Sequence, residues 1–465
     1  MFNKYYYVER VVLTMKVEIV SRETIKPSSP TPQQLKIFKL SLLDQLAPSN
    51  YSRAIYFYPA NANVSPHHHA SGVQAKTLQL LKASLTNILT LYYPFAGRFK
   101  DRSSIECSDE GVDFVEARIN CVLSHLLQNH DAEQPEELLP VEAESMGATT
   151  GSLLQVQANF FVCGSIAISI CLSHKVADAV SFFTFVKSWF STARESSFPA
   201  MHNPEFFFRS DFLPPQNSLL PPLDFSRGKC VRKRFVFNST SIAKLKAKTA
   251  SASVQQPTRA EAVTALLWKC AMTTSRLVQG FSSKSLCFRR INLRSRFTPP
   301  LSEFTFGNLV GLLVTPKKMM DEEMEIDLTS SVCQLRKGRQ EFKVDDLEGQ
   351  DLLLGESETN KKEIGNLIRK ENVHFFFCSS VCGMEVYEAD FGWGKPIWMC
   401  LSNIKKPNVA YLVDTRDGDG IEALVCLSEE EMAVFERNEE LLASATLSPN
   451  ILDVNICAGN KNSRL

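Results

Sequence analysis

Six prolines crowd the stretch between Pro199 and Pro222 (Pro199, Pro204, Pro214, Pro215, Pro221 and Pro222). A proline supplies no backbone N–H and pushes the residue before it toward extended geometry, so neither a helix nor a central strand runs through such a segment. Residues 199–224 therefore read as a long crossover connection. It leaves flanks of roughly 200 and 240 residues, each the size of a domain. The expected architecture is mixed α/β in two domains, residues 15–198 and 225–465, each with a mixed sheet. Residues 1–14 precede the more regular stretch opened by Met15 and read as an extension.

Local patterns fill in both halves. Ala54–Tyr58 reads as a strand, and Leu78, Leu81, Leu85 and Ile88 give Ala75–Leu91 the rhythm of an amphipathic helix that Pro94 terminates. Phe160–Leu172 predicts a hairpin over Gly164-Ser165, with Ile166, Ile168, Ile170 and Leu172 on one face. A helix carrying Phe182, Val186 and Trp189 follows, starting near Asp178. In the second half Phe235–Phe237 is a strand, and Ser239-Thr240-Ser241 offer caps for the helix behind it. Pro257-Thr258 opens a helix through Trp268, and Leu286–Arg294 is strand-like. The acidic run Asp321–Asp327 reads as a solvated helix face.

Composition excludes several classes. Fifty-one basic and 51 acidic residues cancel, so no bulk field draws the chain to nucleic acid or an anionic membrane. No apolar run approaches the roughly 20 residues that span a bilayer. Met1-Phe2-Asn3-Lys4-Tyr5 lacks a continuous apolar region, so a signal peptide is not expected. The 13 cysteines are irregularly spaced without a C-x-x-C pair, which points to a reduced, cytoplasmic protein. His67-His68-His69 point in different directions on either a helix or a strand and have no second ligand cluster, so no metal site is assigned.

His174 stands where an apolar strand ends and a helix begins, with Asp178 four residues on. On spacing alone, a satisfied corner histidine beside a helix N-cap is the favoured reading. The competing reading is chemical. The chain has no G-x-S-x-G elbow, no phosphate loop and no dinucleotide fingerprint, and Asp417-Gly418-Asp419-Gly420 reads as a hairpin turn. A histidine without a partner nucleophile suits proton removal from a hydroxyl near neutral pH. Farther along, Asp390-Phe391-Gly392-Trp393-Gly394 sets two glycines around a tryptophan, a tight loop with a large apolar anchor, read first as structural.

Together, His174-Lys175-Val176-Ala177-Asp178 and Asp390-Phe391-Gly392-Trp393-Gly394 resemble the two signatures of the plant BAHD acyltransferases. The likeness continues through Tyr93-Pro94-Phe95-Ala96-Gly97-Arg98, Asn292-Leu293-Arg294-Ser295-Arg296, Gly307-Asn308 and Asp414-Thr415-Arg416. Residues 25–32 and Leu43-Asp44-Gln45 resemble the branch of alkaloid and terpenoid O-acetyltransferases.

This resemblance implies two chloramphenicol-acetyltransferase-like domains with an active-site channel at their interface, and a segment near 389–413 crossing back onto the first sheet. It implies His174 as general base, Asp178 paired with Arg294 to fix the corner, and Asp390, Phe391, Gly392, Trp393 and Gly394 as a structural motif. Thr258 and Arg259 are candidates for the CoA side. It further implies a monomer that uses acyl-CoA, acetyl-CoA by preference, as co-substrate with a small hydroxylated acceptor, and needs no permanently bound cofactor or metal. An amine acceptor, another acyl donor, or a non-catalytic homologue that binds a small molecule or a protein are the alternatives.

One departure stands out. Relatives commonly carry a tryptophan after the Ser pair near residue 380, and this chain has Ser379-Ser380-Val381, followed by the unusual Gly383-Met384-Glu385. Ser379 and Ser380 are the candidate acceptor or oxyanion contacts. Val381 is expected either to cost a donor or to open space for a bulkier acceptor.

Overall fold

The computed structural model describes residues 15–60, 70–128, 136–141, 147–194, 205–206, 229–280, 284–315, 327–342, 373–402 and 406–452. Residues 1–14, His67-His68-His69, all of 199–224 except the short strand Glu205–Phe206, and Asp321 to Ile326 lie outside them.

The first part of the chain supplies β1 (Val17–Ile25), β2 (Tyr51–Tyr58), helix α1 (Ala70–Leu91), β3 (Val112–Ile119), β4 (Leu154–Phe161), β5 (Ile166–Ser173) and helix α2 (Ala179–Arg194). After the proline segment come β6 (Cys230–Phe237), α3 (Ser239–Thr249), α4 (Arg259–Gln279), β7 (Lys284–Asn292), β8 (Val310–Thr315) and α5 (Leu328–Glu341). The last stretch holds β9 (Val373–Ser380), β10 (Trp398–Leu401), β11 (Val409–Asp414), β12 (Ile421–Ser428) and β13 (Thr446–Leu447).

Two mixed sheets result. The first has the order β1-β3-β4-β5-β2-β10, with β3 and β4 parallel. The second has the order β8-β7-β9-β11-β12-β6-β13, with β9 parallel to both neighbours. Strand β10 belongs to the first sheet although it follows β9 of the second: Trp398 pairs with Phe57 and Leu401 with Ala54.

Burial explains the elements. Gly164 takes φ +82° in the turn between β4 and β5, a conformation open to glycine at no steric cost. Ile166, Ile168, Ile170 and Leu172 of β5 all enter the first core, beside Leu81, Leu85 and Ile88 of α1 and Phe182, Val186 and Trp189 of α2. The buried Trp189 indole donates to Ser84 Oγ on α1 at 3.0 Å, so the two helices are joined by a satisfied polar contact as well as by packing. In the second domain α3, α4 and α5 cover one face of the sheet, and Leu266, Leu267, Phe376, Cys378 and Leu412 share that core. The opposite face meets the first domain, where Val413, Leu424 and Cys426 complete the first core.

Several boundaries differ from expectation: α1 starts at Ala70 rather than Ala75, and α4 runs past Trp268 to Gln279. The N-cap of α3 is Asn238, whose side chain accepts from Ser241 N at 2.8 Å, while Ser239 is already helical. Four successive cap-competent residues competed, and the first one won. Strand β7 ends at Asn292, and Arg294 lies in a 3-10 turn, because its side chain is drawn into a buried ion pair. Asp327 is the N-cap of α5, accepting from the Thr329 and Ser330 N–H groups, rather than part of a helix face.

Candidate active site

His174 follows directly on β5, at the boundary of the two domains. Its backbone N–H donates to Asn50 O at 2.9 Å, and Val176 N returns to Ser173 O at 3.1 Å, so the chain turns sharply beneath the ring. Lys175 reaches Gln45 O at 2.5 Å, tying the same corner to the short helix Leu42–Leu46. The imidazole is half-buried.

Asp178, fully buried, caps α2 and faces the second domain. Its carboxylate accepts from Ser181 N (2.8 Å), from Leu309 N (3.1 Å) and from two guanidinium nitrogens of Arg294 (2.8 and 3.1 Å). Arg294 is itself 2% exposed. Its remaining donor capacity goes to Thr305 O, Asn292 Oδ1, Ser181 Oγ and Gly307 O. Both charges are thus desolvated and saturated with partners, the condition under which a buried ion pair is tolerated.

A second network sets the histidine tautomer. Asn308 Nδ2 donates to Asp44 Oδ1 at 3.0 Å and to His174 O at 2.8 Å. With both amide hydrogens committed to oxygen acceptors, its Oδ1 is what faces His174 Nδ1 at 3.2 Å. An amide oxygen only accepts, so Nδ1 carries the proton and Nε2 presents its lone pair. Asp44 anchors Asn308 further by accepting its backbone N–H at 2.8 Å, and is held by Ser41 N and Oγ through a capping box. Burial raises the Asp44 pKa above its usual range, against the pull of Ser41 and Asn308.

Burial is also the chief cause that holds His174 below 6.5, and the Arg290 guanidinium pushes the same way. Asp178 and Asn308 act in the opposite sense without prevailing. The ring is therefore neutral at physiological pH and free to accept a proton.

Asp390-Phe391-Gly392-Trp393-Gly394 forms a clamp between α2 and β2. Asp390 Oδ1 accepts from Gly392 N (2.8 Å) and Gly394 N (2.9 Å), and both glycines take φ +107°. Phe391 is fully buried, edge-on to Trp189 at 4.9 Å and stacked on Trp393 at 5.5 Å. Tyr58 of β2 donates to Ala389 O at 2.7 Å. The loop fixes α2, whose cap Asp178 stands four residues after His174, and hands the chain to β10.

Thr258 is the N-cap of α4 in a capping box with Glu261, and Arg259 donates to Asp414 (3.0 Å) and Gly418 O (2.5 Å), so the structure gives both internal partners. Ser380 Oγ accepts from Cys382 N at 3.2 Å. Ser379 is half-buried and makes no hydrogen bond to any described side chain. Val381 is 4% exposed, inside the first core, and its N–H donates to Leu412 O. The position is packed with protein, so the expected open space is not there. Sequence reading gave no role to Asp44 or Asn308. Both sat in quoted family stretches, but 134 residues separate Asn308 from His174, and no local pattern reports such a contact.

The Transferase family model matches residues 15–442. Limonoid 7-O-acetyltransferase of Citrus sinensis is 38% identical over 469 residues, covering 94% of this chain and 99% of that protein. Vinorine synthase of Rauvolfia serpentina is 37% identical over 427 residues, covering 90% and 96%. The crystal structure of vinorine synthase superposes with a TM-score of 0.76 at 35% identity, over 92% of this chain and 98% of that one. The fold extends to F. graminearum TRI101 complexed with coenzyme A and T-2 mycotoxin (TM-score 0.69, 16% identity, covering 89% and 100%). The chain belongs to the Transferase family, the BAHD acyltransferases, and is an acyltransferase with two α/β domains.

Proposed function

We propose that this enzyme transfers an acyl group, acetyl by preference, from a CoA thioester to the hydroxyl of a small alkaloid or terpenoid, with His174 as general base. The observation that carries the assignment is the committed amide of Asn308, which supports a bare Nε2 on a neutral ring. Nε2 takes the proton of the acceptor O–H as its oxygen attacks the thioester carbonyl carbon. The tetrahedral intermediate collapses with cleavage of the C–S bond, and the imidazolium returns the proton to the departing CoA thiolate. One C–O bond forms, one C–S bond breaks, and no residue is acylated. Asp178 and Arg294 touch no reacting atom in this scheme and act by holding the corner.

The names of the relatives support the acceptor class and the acetyl donor. Incubation with radiolabelled acetyl-CoA and a panel of alkaloid and terpenoid alcohols tests the reading. Label should pass to an alcohol, and His174→Ala should lower kcat by roughly 10²–10⁴-fold, the usual contribution of a positioned base. Transfer at more than about a tenth of the wild-type rate in that variant would remove His174 from the role.

A further inference from the structure

Arg290 lies on β7 two residues before Asn292, whose side-chain oxygen holds Arg294. Alternation along a strand puts Leu286, Phe288 and Arg290 on one face. Cys287 points the other way, into the core beneath the helices, so that face is the one turned from them. The register of β7 and β9 pairs Arg289 with Cys378, so the next residues, Arg290 and Ser379, stand side by side. Ser379 is in turn paired with Tyr411 of β11. Arg290, Ser379 and Tyr411 therefore form a polar row across three strands.

The Arg290 guanidinium lies over the Phe377 ring, 5.4 Å from its centroid, and the residue is exposed. Among the described residues it makes no hydrogen bond and no ion pair. Crowding of the guanidinium by protein lowers its pKa and Tyr411 acts the other way, while Arg290 in turn lowers that of His174. A guanidinium keeps its charge under such conditions, and its planar fork matches a carboxylate with two parallel N–H···O bonds. This cation stands four residues before Arg294, on the strand that leads to the Asp178 corner beneath His174, and has no counter-ion among the described residues.

We propose that Arg290 is a specificity residue that recognises a carboxylate on the substrate seated beside His174, with the Ser379 and Tyr411 hydroxyls as flanking donors. The inference rests on the reading of His174 as the base. The carboxylate is carried either by the acceptor, a hydroxy acid, or by the acyl group, a dicarboxylic acyl-CoA.

Two arms separate these sources. The first gives acetyl-CoA with ω-hydroxy acids of increasing length, each against its methyl ester. The second gives malonyl-, succinyl- and glutaryl-CoA against the uncharged propionyl-, butyryl- and pentanoyl-CoA, with a neutral alcohol. In one arm the wild-type kcat/KM should favour the anion at least tenfold, and Arg290→Gln should collapse that ratio toward one while Arg290→Lys keeps part of it. A wild-type ratio near one in both arms overturns the proposal, as does an Arg290→Gln variant that slows charged and neutral substrates alike, the signature of oxyanion stabilisation. Calorimetric titration of the same pairs into His174→Ala protein reads recognition without turnover. Equal affinity for acid and ester, and for charged and uncharged acyl-CoA, would also overturn it. Loss of turnover on every substrate with the anion preference in binding intact would instead count against the base assignment alone.

Discussion

Asn308 gives one amide hydrogen to Asp44 and the other to the His174 carbonyl, leaving only its oxygen for the imidazole 3.2 Å away. The residue acts through the ring and touches no substrate in the proposed scheme. Asn308→Ala removes one hydrogen bond to the ring, about 0.5–1.5 kcal/mol, and should lower kcat roughly three- to tenfold with KM little changed. Asn308→Asp places a carboxylate against both Asp44 and the ring. It should favour the imidazolium and move the acid limb of kcat/KM to higher pH. A pH–rate profile identical to wild type in Asn308→Asp would remove Asn308 from the positioning of His174.

The depressed pKa of His174 sets a sign for the pH dependence. The neutral ring is the working form, so kcat/KM should hold level as pH falls through 6.5 and decline only below it. The same shift acts on stability. Below 6.5 the unfolded chain binds a proton that the folded ring resists, so stability falls with falling pH in that window. Arg290→Gln removes one of the depressing charges and should carry the acid limb upward. Rate profiles of the two proteins, measured over the same buffers, check both statements.

The buried pair of Asp178 and Arg294 is a folding element. Asp178→Ala strands a guanidinium that is 2% exposed, and should cost about 3–5 kcal/mol with a lower Tm. Arg294→Ala should cost a similar amount, and the double variant less than the sum. Strict additivity in denaturant unfolding would mean that the two side chains do not depend on one another.

Val381 should prove a packing residue. Val381→Trp drives an indole into a filled core and should destabilise by about 1–3 kcal/mol, with the acceptor preference unaltered. A variant that is fully stable and has changed its acceptors would restore the idea that this position shapes the acceptor site.

The corner at His174 was legible because its signals are local: an alternating apolar strand, a cap residue four positions on and an amphipathic helix behind. The hairpin around Gly164 and the start of α4 at Pro257-Thr258 were legible for the same reason. Strand β7 was drawn two residues past its end because Arg294 continues a polar–apolar alternation, and only the distant Asp178 carboxylate explains why the backbone leaves the sheet there. Asp44 closes a capping box with Ser41, and nothing nearby in the sequence announces that its other oxygen serves Asn308, 264 residues away. The row of Arg290, Ser379 and Tyr411 depends on the register of three strands, which composition and periodicity do not specify.

Strand β10 bears on what becomes of this chain when it is cut. Without Trp398–Leu401, β2 is the last strand of the first sheet, and its outer row of N–H and C=O groups faces solvent. A bare hydrophobic edge of that kind is a template for pairing with other chains. The amino-terminal half is therefore not an autonomous module, despite its domain-like length. A nascent chain must keep that edge from foreign partners for some 340 residues of synthesis, until its own late strand arrives to seal it.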